Sequence, residues 1–327
     1  MGGSHIAVIG CGLIGESWSA LMSAYGHDVV AWDPSAPDAR RFFDRVDAAK
    51  EQLRRIDPTG TSRHGRLNLA ATLEEALAGA RWVQENAPES ASLKAELYGN
   101  IEQTLDDDAV IASSTSSLTW SELSAGLKHP GRFITAHPFN PPHLMPLVEI
   151  YASDEQTRDR AVAFYRSLGR EPVTLARDAA GHIANRLASA LWREAVNIVA
   201  EGIADVASVD KALVHGPGLR WSIVGAHMAY HLGGGAGGIE AYLKHLGPSQ
   251  ERRWATLGTP RLTPEVCALL VEGVRQEAAG RRVCHGVGWY ARRLGPLRAG
   301  FDPALRHCQA PAMASTRRTS METTPQM

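Results

Sequence analysis

The chain has 327 residues, 44% hydrophobic and 21% charged, with a formal net charge of -1, long enough for two domains and a sizeable core. Lys and Arg are scattered rather than striped, which gives binding to nucleic-acid backbones little support, and no apolar run approaches the ~18 residues of a membrane-spanning helix. Cys11, Cys267, Cys284 and Cys308 show no C-x-x-C pairing, so no metal site and no disulfide framework are expected, and the predicted setting is a reducing cytoplasm. His5 to Ile9 reads as a buried strand that starts too early to leave room for a signal peptide. It runs straight into Gly10-Cys11-Gly12-Leu13-Ile14-Gly15 and then a helix-forming stretch through Tyr25. In this strand-turn-helix setting G-x-G-x-x-G is a dinucleotide signature. The first glycine permits the turn, the second admits a pyrophosphate against the backbone, the third lets the helix pack, and the helix amides face the phosphates.

Asp28 to Trp32 predicts a second strand ending at Asp33, whose carboxylate would accept from the adenosine ribose hydroxyls; Pro34 and Ser35 follow rather than an arginine, so NAD is expected over NADP. A charged helix from Asp38 to about Ile56 and a loop through Arg66 come next. Leu67 to Ala70, a helix near Thr72 to Ala78, Trp82 to Glu85 and Ala109 to Ser113 continue a β/α alternation that predicts a parallel, doubly wound sheet. Glu89 and Lys94 follow one strand end, where taken alone they also fit an ordinary surface pair. Ser114 to Ser117 follow another, where hydroxyl clusters commonly cap a helix, here one starting near Trp120. Phe133 to Ala136 leads into His137, and Leu147 to Val148 into Glu149, with a proline-rich turn between. Two short strands would set the imidazole beside the carboxylate, which fixes its tautomer and frees the other nitrogen as a base. A lone pair of this kind is equally a hydrogen-bonded core corner. Glu171 to Leu175 predicts the last strand. A long helix over Gly181 to Ile203 follows, with Ile183, Leu187, Leu191, Ile198 and Val199 at helical spacing, and then helices separated by glycine-rich turns to about Gly280.

From about Ile6 to Gly280 the chain resembles the 3-hydroxyacyl-CoA dehydrogenase superfamily. Gly10 to Gly15, Asp33, Glu89 with Lys94, Ser114 to Leu118, His137 to Glu149 and Gly181 to Leu187 follow the family order. The resemblance implies an α/β chain, with an N-terminal Rossmann-type doubly wound sheet over residues 1–178 and an all-helical C-terminal domain over 179–280 that binds substrate and dimerises. It implies His137 as general base, Glu149 as its orienting partner, Ser116 as donor to the substrate oxygen and Asn185 as a further polar contact. Gly10, Gly12, Leu13, Ile14, Gly15, Asp33, Glu89, Lys94 and Asn140 would lie at an NAD cofactor.

Proline after His137, the stretch Leu191 to Ala195 and the run Gly216 to Trp221 look like the branch of L-carnitine and L-gulonate dehydrogenases, the latter related to lambda-crystallin. Trp192, Trp221 and Tyr230 would offer ring faces to a quaternary ammonium and Arg220 a carboxylate partner; aromatic residues at helical positions are also ordinary core, and an arginine an ordinary ion-pair partner. The expected activity is NAD-dependent interconversion of a 3-hydroxy and a 3-oxo group on a small-molecule acid, in a homodimer with no nucleic-acid or membrane partner. A 3-hydroxyacyl-CoA dehydrogenase, a polyketide ketoreductase and a non-catalytic crystallin-like NAD binder are the alternatives. Residues 281–327 read as an atypical basic tail, with eight arginines against Asp302 and Glu322, disordered from about Gln309.

Overall fold

The computed structural model describes residues 4–35 and 38–278; the basic tail, with Cys284, His285 and Cys308, lies outside the described residues. The chain opens as β1 (His5–Ile9), α1 (Leu13–Ala24), β2 (Val29–Trp32), α2 (Ala39–Ile56), β3 (Leu67–Leu69), α3 (Leu73–Leu77), β4 (Ala80–Glu85), α4 (Ala91–Thr104) and β5 (Val110–Ser113). It continues through α5 (Trp120–Ser124), β6 (Phe133–Pro138), β7 (Leu147–Ala152), α6 (Glu155–Ser167) and β8 (Glu171–Thr174). The eight strands form one sheet in the order β3-β2-β1-β4-β5-β6-β7-β8. From β3 to β6 all pairings are parallel, as the alternation predicts. β7 turns back antiparallel to β6, with β8 parallel to β7. The reason is the short connection over residues 139–146: a parallel return needs a crossover of a dozen residues or more, whereas a short loop suffices for a reversed strand.

Helices cover both faces. Ile6 and Val8 of β1 point into a core with Trp18 and Leu21 of α1, Phe42, Val46 and Leu53 of α2, and Tyr165 of α6. Ala7 and Ile9 point the other way, toward Leu77 of α3, Tyr98 and Ile101 of α4 and Leu123 of α5. A strand buried on both sides is therefore apolar throughout, which is why HIAVI shows no alternation. Helix starts follow local chemistry: the side chains of Asp38, Thr72, Ser90 and Asp154 each accept a backbone N–H of the first turn. α5 begins with a capping box of Thr119 and Glu122, so the Ser114–Ser117 run is released from the capping role expected of it.

The second part is helical: α7 (Ala184–Ala200), α8 (Val206–His215), α9 (Pro217–Trp221), α10 (Ala226–Gly233), α11 (Gly238–Trp254) and α12 (Pro264–Ala278). The apolar residues at helical spacing are mostly not covered by this chain. Ile183, Leu187 and Leu191 are exposed, Leu187 at 67%, and within α7 only Val196 and Asn197 are buried. Large apolar side chains stay exposed along the other helices too, among them Val214, Leu219, Leu232, Leu243 and Leu269. Among the described residues no helix is long and apolar enough to cross a membrane.

Candidate active site

The sheet reverses its order at β1, which pairs with β2 on one side and β4 on the other; ligands of such sheets bind outside the carboxyl ends of the strands at this point. The glycine turn lies there. Gly10 has φ +90, and a Cβ at Gly15 would come within 1.8 Å of the Gly10 carbonyl oxygen, so the third glycine is what lets α1 start so close to the turn. A Cβ at Gly12 would meet nothing within 4 Å: that glycine, the residue just before α1, borders the open space a pyrophosphate needs. Asp33, at the end of β2, accepts the Cys11 amide at 2.8 Å and the amide and hydroxyl of Ser35. Burial would raise its pKa, and these hydrogen bonds outweigh it and lower it. Beside it Trp32, Pro34 and the stretch Leu69 to Glu74 line a cleft of about 640 Å³, room for an adenosine end. The turn, the open side of Gly12 and an ionised Asp33 thus fit a dinucleotide.

A second cleft, of about 470 Å³, runs on from the turn and is lined by Ile14, Asn86, Glu89, Ser116, His137, Asn140 and Asn185, among others. β6 and β7 place His137 directly opposite Glu149, and His137 Nδ1 lies 2.8 Å from Glu149 Oε2. The other carboxylate oxygen accepts the amides of Ile183 and Ala184 at 2.7 and 2.8 Å. Burial pushes the Glu149 pKa up, but the bonds from His137, Ala184 and Ile183 lower it further. An ionised carboxylate only accepts, so His137 carries its proton on Nδ1 and leaves Nε2 as a lone pair for the cleft. Asn185, in the first turn of α7, reaches the cleft from the helical part. The same anchoring that orients the imidazole therefore fixes where α7 begins.

Glu89 organises the opposite wall. Its Oε1 accepts from the Thr115 hydroxyl, the amides of Ser116, Ser117 and Leu118, and the Ser117 hydroxyl. This is where the hydroxyl run goes: it wraps a carboxylate and presents Ser116 to the cleft. Burial would raise the Glu89 pKa, and the hydrogen bonds bring it instead to about 2, below the usual 4.5. A depressed folded-state value means stability that is present above pH 4.5 and lost as pH falls toward about 2. Glu89→Gln is therefore expected to be less stable than wild type at pH 7 and to lose less on acidification through that window. Urea midpoints at several pH values check this; parallel pH curves for both proteins would contradict it.

Lys94 lies elsewhere than expected. Its side chain is 1% exposed, beneath the cleft wall, with Nζ 2.6 Å from Glu85 Oε1 and 3.1 Å from the Ala87 carbonyl. Glu85 also accepts from Tyr98, Ser113 and the Ala87 amide. Glu89 and Lys94 are thus not a pair. Arg220, Trp221 and Tyr230 are in α9 and α10 and are not among the residues lining the His137 cleft; Tyr230 packs against Tyr242 with ring centroids 4.9 Å apart and tilted by 35°, and Trp192 is exposed on α7. Two further residues here carry no role in the sequence reading. Asn86, whose amide bonds the carbonyls of Ile9 and Gln84 and accepts from Ser114, follows a strand end directly, and that position was its only signal. His182 lies flat on His137, ring centroids 4.8 Å apart at 20°, brought there by a turn that no spacing reveals. Burial, then the neighbouring His137, lowers the His182 pKa.

Residues 5–179 match the NAD binding domain of 3-hydroxyacyl-CoA dehydrogenase, and residues 181–275 match its C-terminal domain. Those two matches, over a chain that sets a glycine turn and a His–Glu dyad at the carboxyl ends of its strands, define the class: an NAD-dependent dehydrogenase. The chain belongs to the 3-hydroxyacyl-CoA dehydrogenase family. It is 41% identical over 293 residues to an L-carnitine dehydrogenase of Nocardiopsis dassonvillei, covering 88% of this chain and 89% of that one. Over 312 residues it is 40% identical to the enzyme of that name from Streptomyces griseus, covering 92% and 93%. Among solved structures it resembles 5-formyl-3-hydroxy-2-methylpyridine 4-carboxylic acid 5-dehydrogenase, described as an NAD+-dependent dismutase, with a TM-score of 0.72 and 26% identity over 90% of this chain and 97% of that one.

Proposed function

We propose that this enzyme oxidises the 3-hydroxyl of L-carnitine or a close small 3-hydroxy acid. The observation that carries the chemistry is the His137–Glu149 dyad, buried and tautomer-fixed, beside the glycine turn; the relatives named L-carnitine dehydrogenase support the substrate. Bound NAD supplies the acceptor for the hydride that leaves the substrate carbon. His137 Nε2 takes the hydroxyl proton, so proton and electron pair both have a destination and the product is the 3-oxo acid. Glu149 stabilises the imidazolium that forms, a carboxylate already held by Ile183 and Ala184 and needing no movement. Ser116 and Asn185 hold the reacting oxygen from opposite walls. Gly10, Gly12, Leu13, Ile14 and Gly15 would receive the pyrophosphate, Asp33 the ribose, and Glu89 and Asn140 the nicotinamide end. Lys94 serves the cofactor indirectly, through Glu85 and the Ala87 carbonyl.

We also propose a homodimer formed through the helical part, since a segment with so few buried apolar side chains and so many exposed ones needs a second surface; sedimentation at the mass of one chain would exclude it. Arg220, Trp221 and Tyr230 then have a place in the substrate reading only if helix movement or the second copy brings them to the cleft. The substrate is tested by following NADH formation with L-carnitine, L-gulonate and 3-hydroxybutyryl-CoA in parallel. Turnover on L-carnitine is expected; turnover confined to the thioester would move the enzyme to the acyl-CoA side of its family, and turnover confined to gulonate to a sugar acid.

A further inference from the structure

His182 is held in a way that needs a reason. It is the only non-glycine at positive φ among the described residues, at +50, and follows Gly181 at +74. Its ring is 4% exposed, and Nδ1 is buried with no hydrogen-bond partner. An unpaired buried polar atom costs roughly 1–3 kcal/mol, and a left-handed non-glycine backbone adds to it. A phenylalanine would fill the same space beside His137 without the orphaned nitrogen.

The two imidazoles share a pattern. His182 Nδ1 has no partner in the fold, so a neutral ring with its proton on Nε2 keeps the Nδ1 lone pair uncommitted. His137 is its counterpart: Nδ1–H is given to Glu149 and the lone pair is on Nε2. Each ring thus keeps one nitrogen free, and His137 has a carboxylate behind it, as metal-ligating histidines commonly do. Ligand atoms of His137, His182 and Glu149 lie within 4.8 Å of one another. We propose that His137 and His182 form a binding site for a divalent transition-metal ion of the Zn2+ type, with Glu149 behind His137. Imidazole nitrogens suit Zn2+ and its neighbours, whereas Mg2+ and Ca2+ require oxygen.

Zn–N bonds of about 2.0–2.1 Å need the two nitrogens within roughly 4.2 Å of each other. The rings are stacked, so their lone pairs meet on one ion only after the His182 ring turns, and no hydrogen bond holds its Nδ1 edge. An ion here occupies the lone pair that would receive the substrate proton, so it inhibits by competing with substrate rather than by assisting hydride transfer. Metal binding does not depend on His137 being the base; only the inhibition rests on that reading.

The test measures Co2+ visible absorption and Zn2+ calorimetry on the cofactor-free enzyme, together with the rate of NADH formation, for wild type, His182→Phe and His182→Asn; asparagine tolerates the positive φ. One Zn2+ per site is expected, with no response to Mg2+. Losing an outer-shell partner costs roughly 10–100-fold in metal affinity, so losing a ligand should weaken Zn2+ by at least about 100-fold in either variant that still binds NAD. Equal Zn2+ affinity in wild type and variants overturns the proposal. So does wild type without a Co2+ ligand-field band, which decides the matter even if both variants misfold. Zn2+ bound as expected with the rate unaffected keeps the metal site and removes His137 from the mechanism.

Discussion

Glu149→Gln is expected to lower kcat by roughly 10²–10⁴-fold while leaving NAD affinity unchanged. The carboxylate serves two sets of donors: Ile183 and Ala184 amides on Oε1 and the imidazole on Oε2. A glutamine must keep its one oxygen on the two backbone amides, since turning it would leave both unsatisfied. Its NH2 group then faces His137, whose Nδ1 must accept, and the ring proton moves to Nε2. The nitrogen facing the substrate hydroxyl becomes a donor and has no lone pair for the proton. In the serine-protease triad the corresponding wrong tautomer costs about 10⁴ in kcat. The glycine turn and Asp33 have no contact with Glu149, so NAD binding measured by titration should be spared. A variant with near-native turnover would remove Glu149 from the mechanism.

Lys94→Met is expected to destabilise the fold by about 3–5 kcal/mol, the usual penalty for leaving one half of a buried ion pair uncompensated. Both side chains are out of solvent, at 1% and 0% exposure. Glu85 would keep Tyr98, Ser113 and the Ala87 amide as donors but lose its only cation among the described residues. The double variant Glu85→Gln, Lys94→Met is expected to recover much of the loss, because it removes the stranded charge. Urea midpoints of the three proteins measure both effects. A Lys94→Met protein of wild-type stability with weakened NAD binding would instead make the lysine a direct cofactor contact.

What could be read from the sequence follows from how locally each feature is specified. The turn Gly10 to Gly15 and the dyad were legible because their chemistry is carried by contiguous residues or by one short hairpin: Glu149 follows His137 by twelve positions, and antiparallel pairing does the rest. The destination of Ser114 to Ser117 was not legible, because Glu89 reaches them only across neighbouring strands of the sheet. Lys94 invited pairing with Glu89 by proximity in sequence, whereas one helical turn into α4 its side chain points inward to Glu85. His182 was unreadable for the same reason, since a left-handed turn, not a spacing, lays it on His137. The periodic apolar residues of α7 were correctly helical, yet periodicity says only that one face is apolar, not that this chain covers it.

The account is tested most directly by following label from carbon to cofactor. L-Carnitine carrying deuterium in place of hydrogen at C3 is incubated with the enzyme and NAD, and the NADH formed is analysed by mass. The expected result is one deuterium in the nicotinamide ring of each NADH produced, with no label lost to solvent, and no product when His137 is replaced by alanine. Unlabelled NADH, or label washed into water while NAD remains bound and unreduced, would contradict a direct hydride transfer from the 3-hydroxyl carbon and with it the role given to His137.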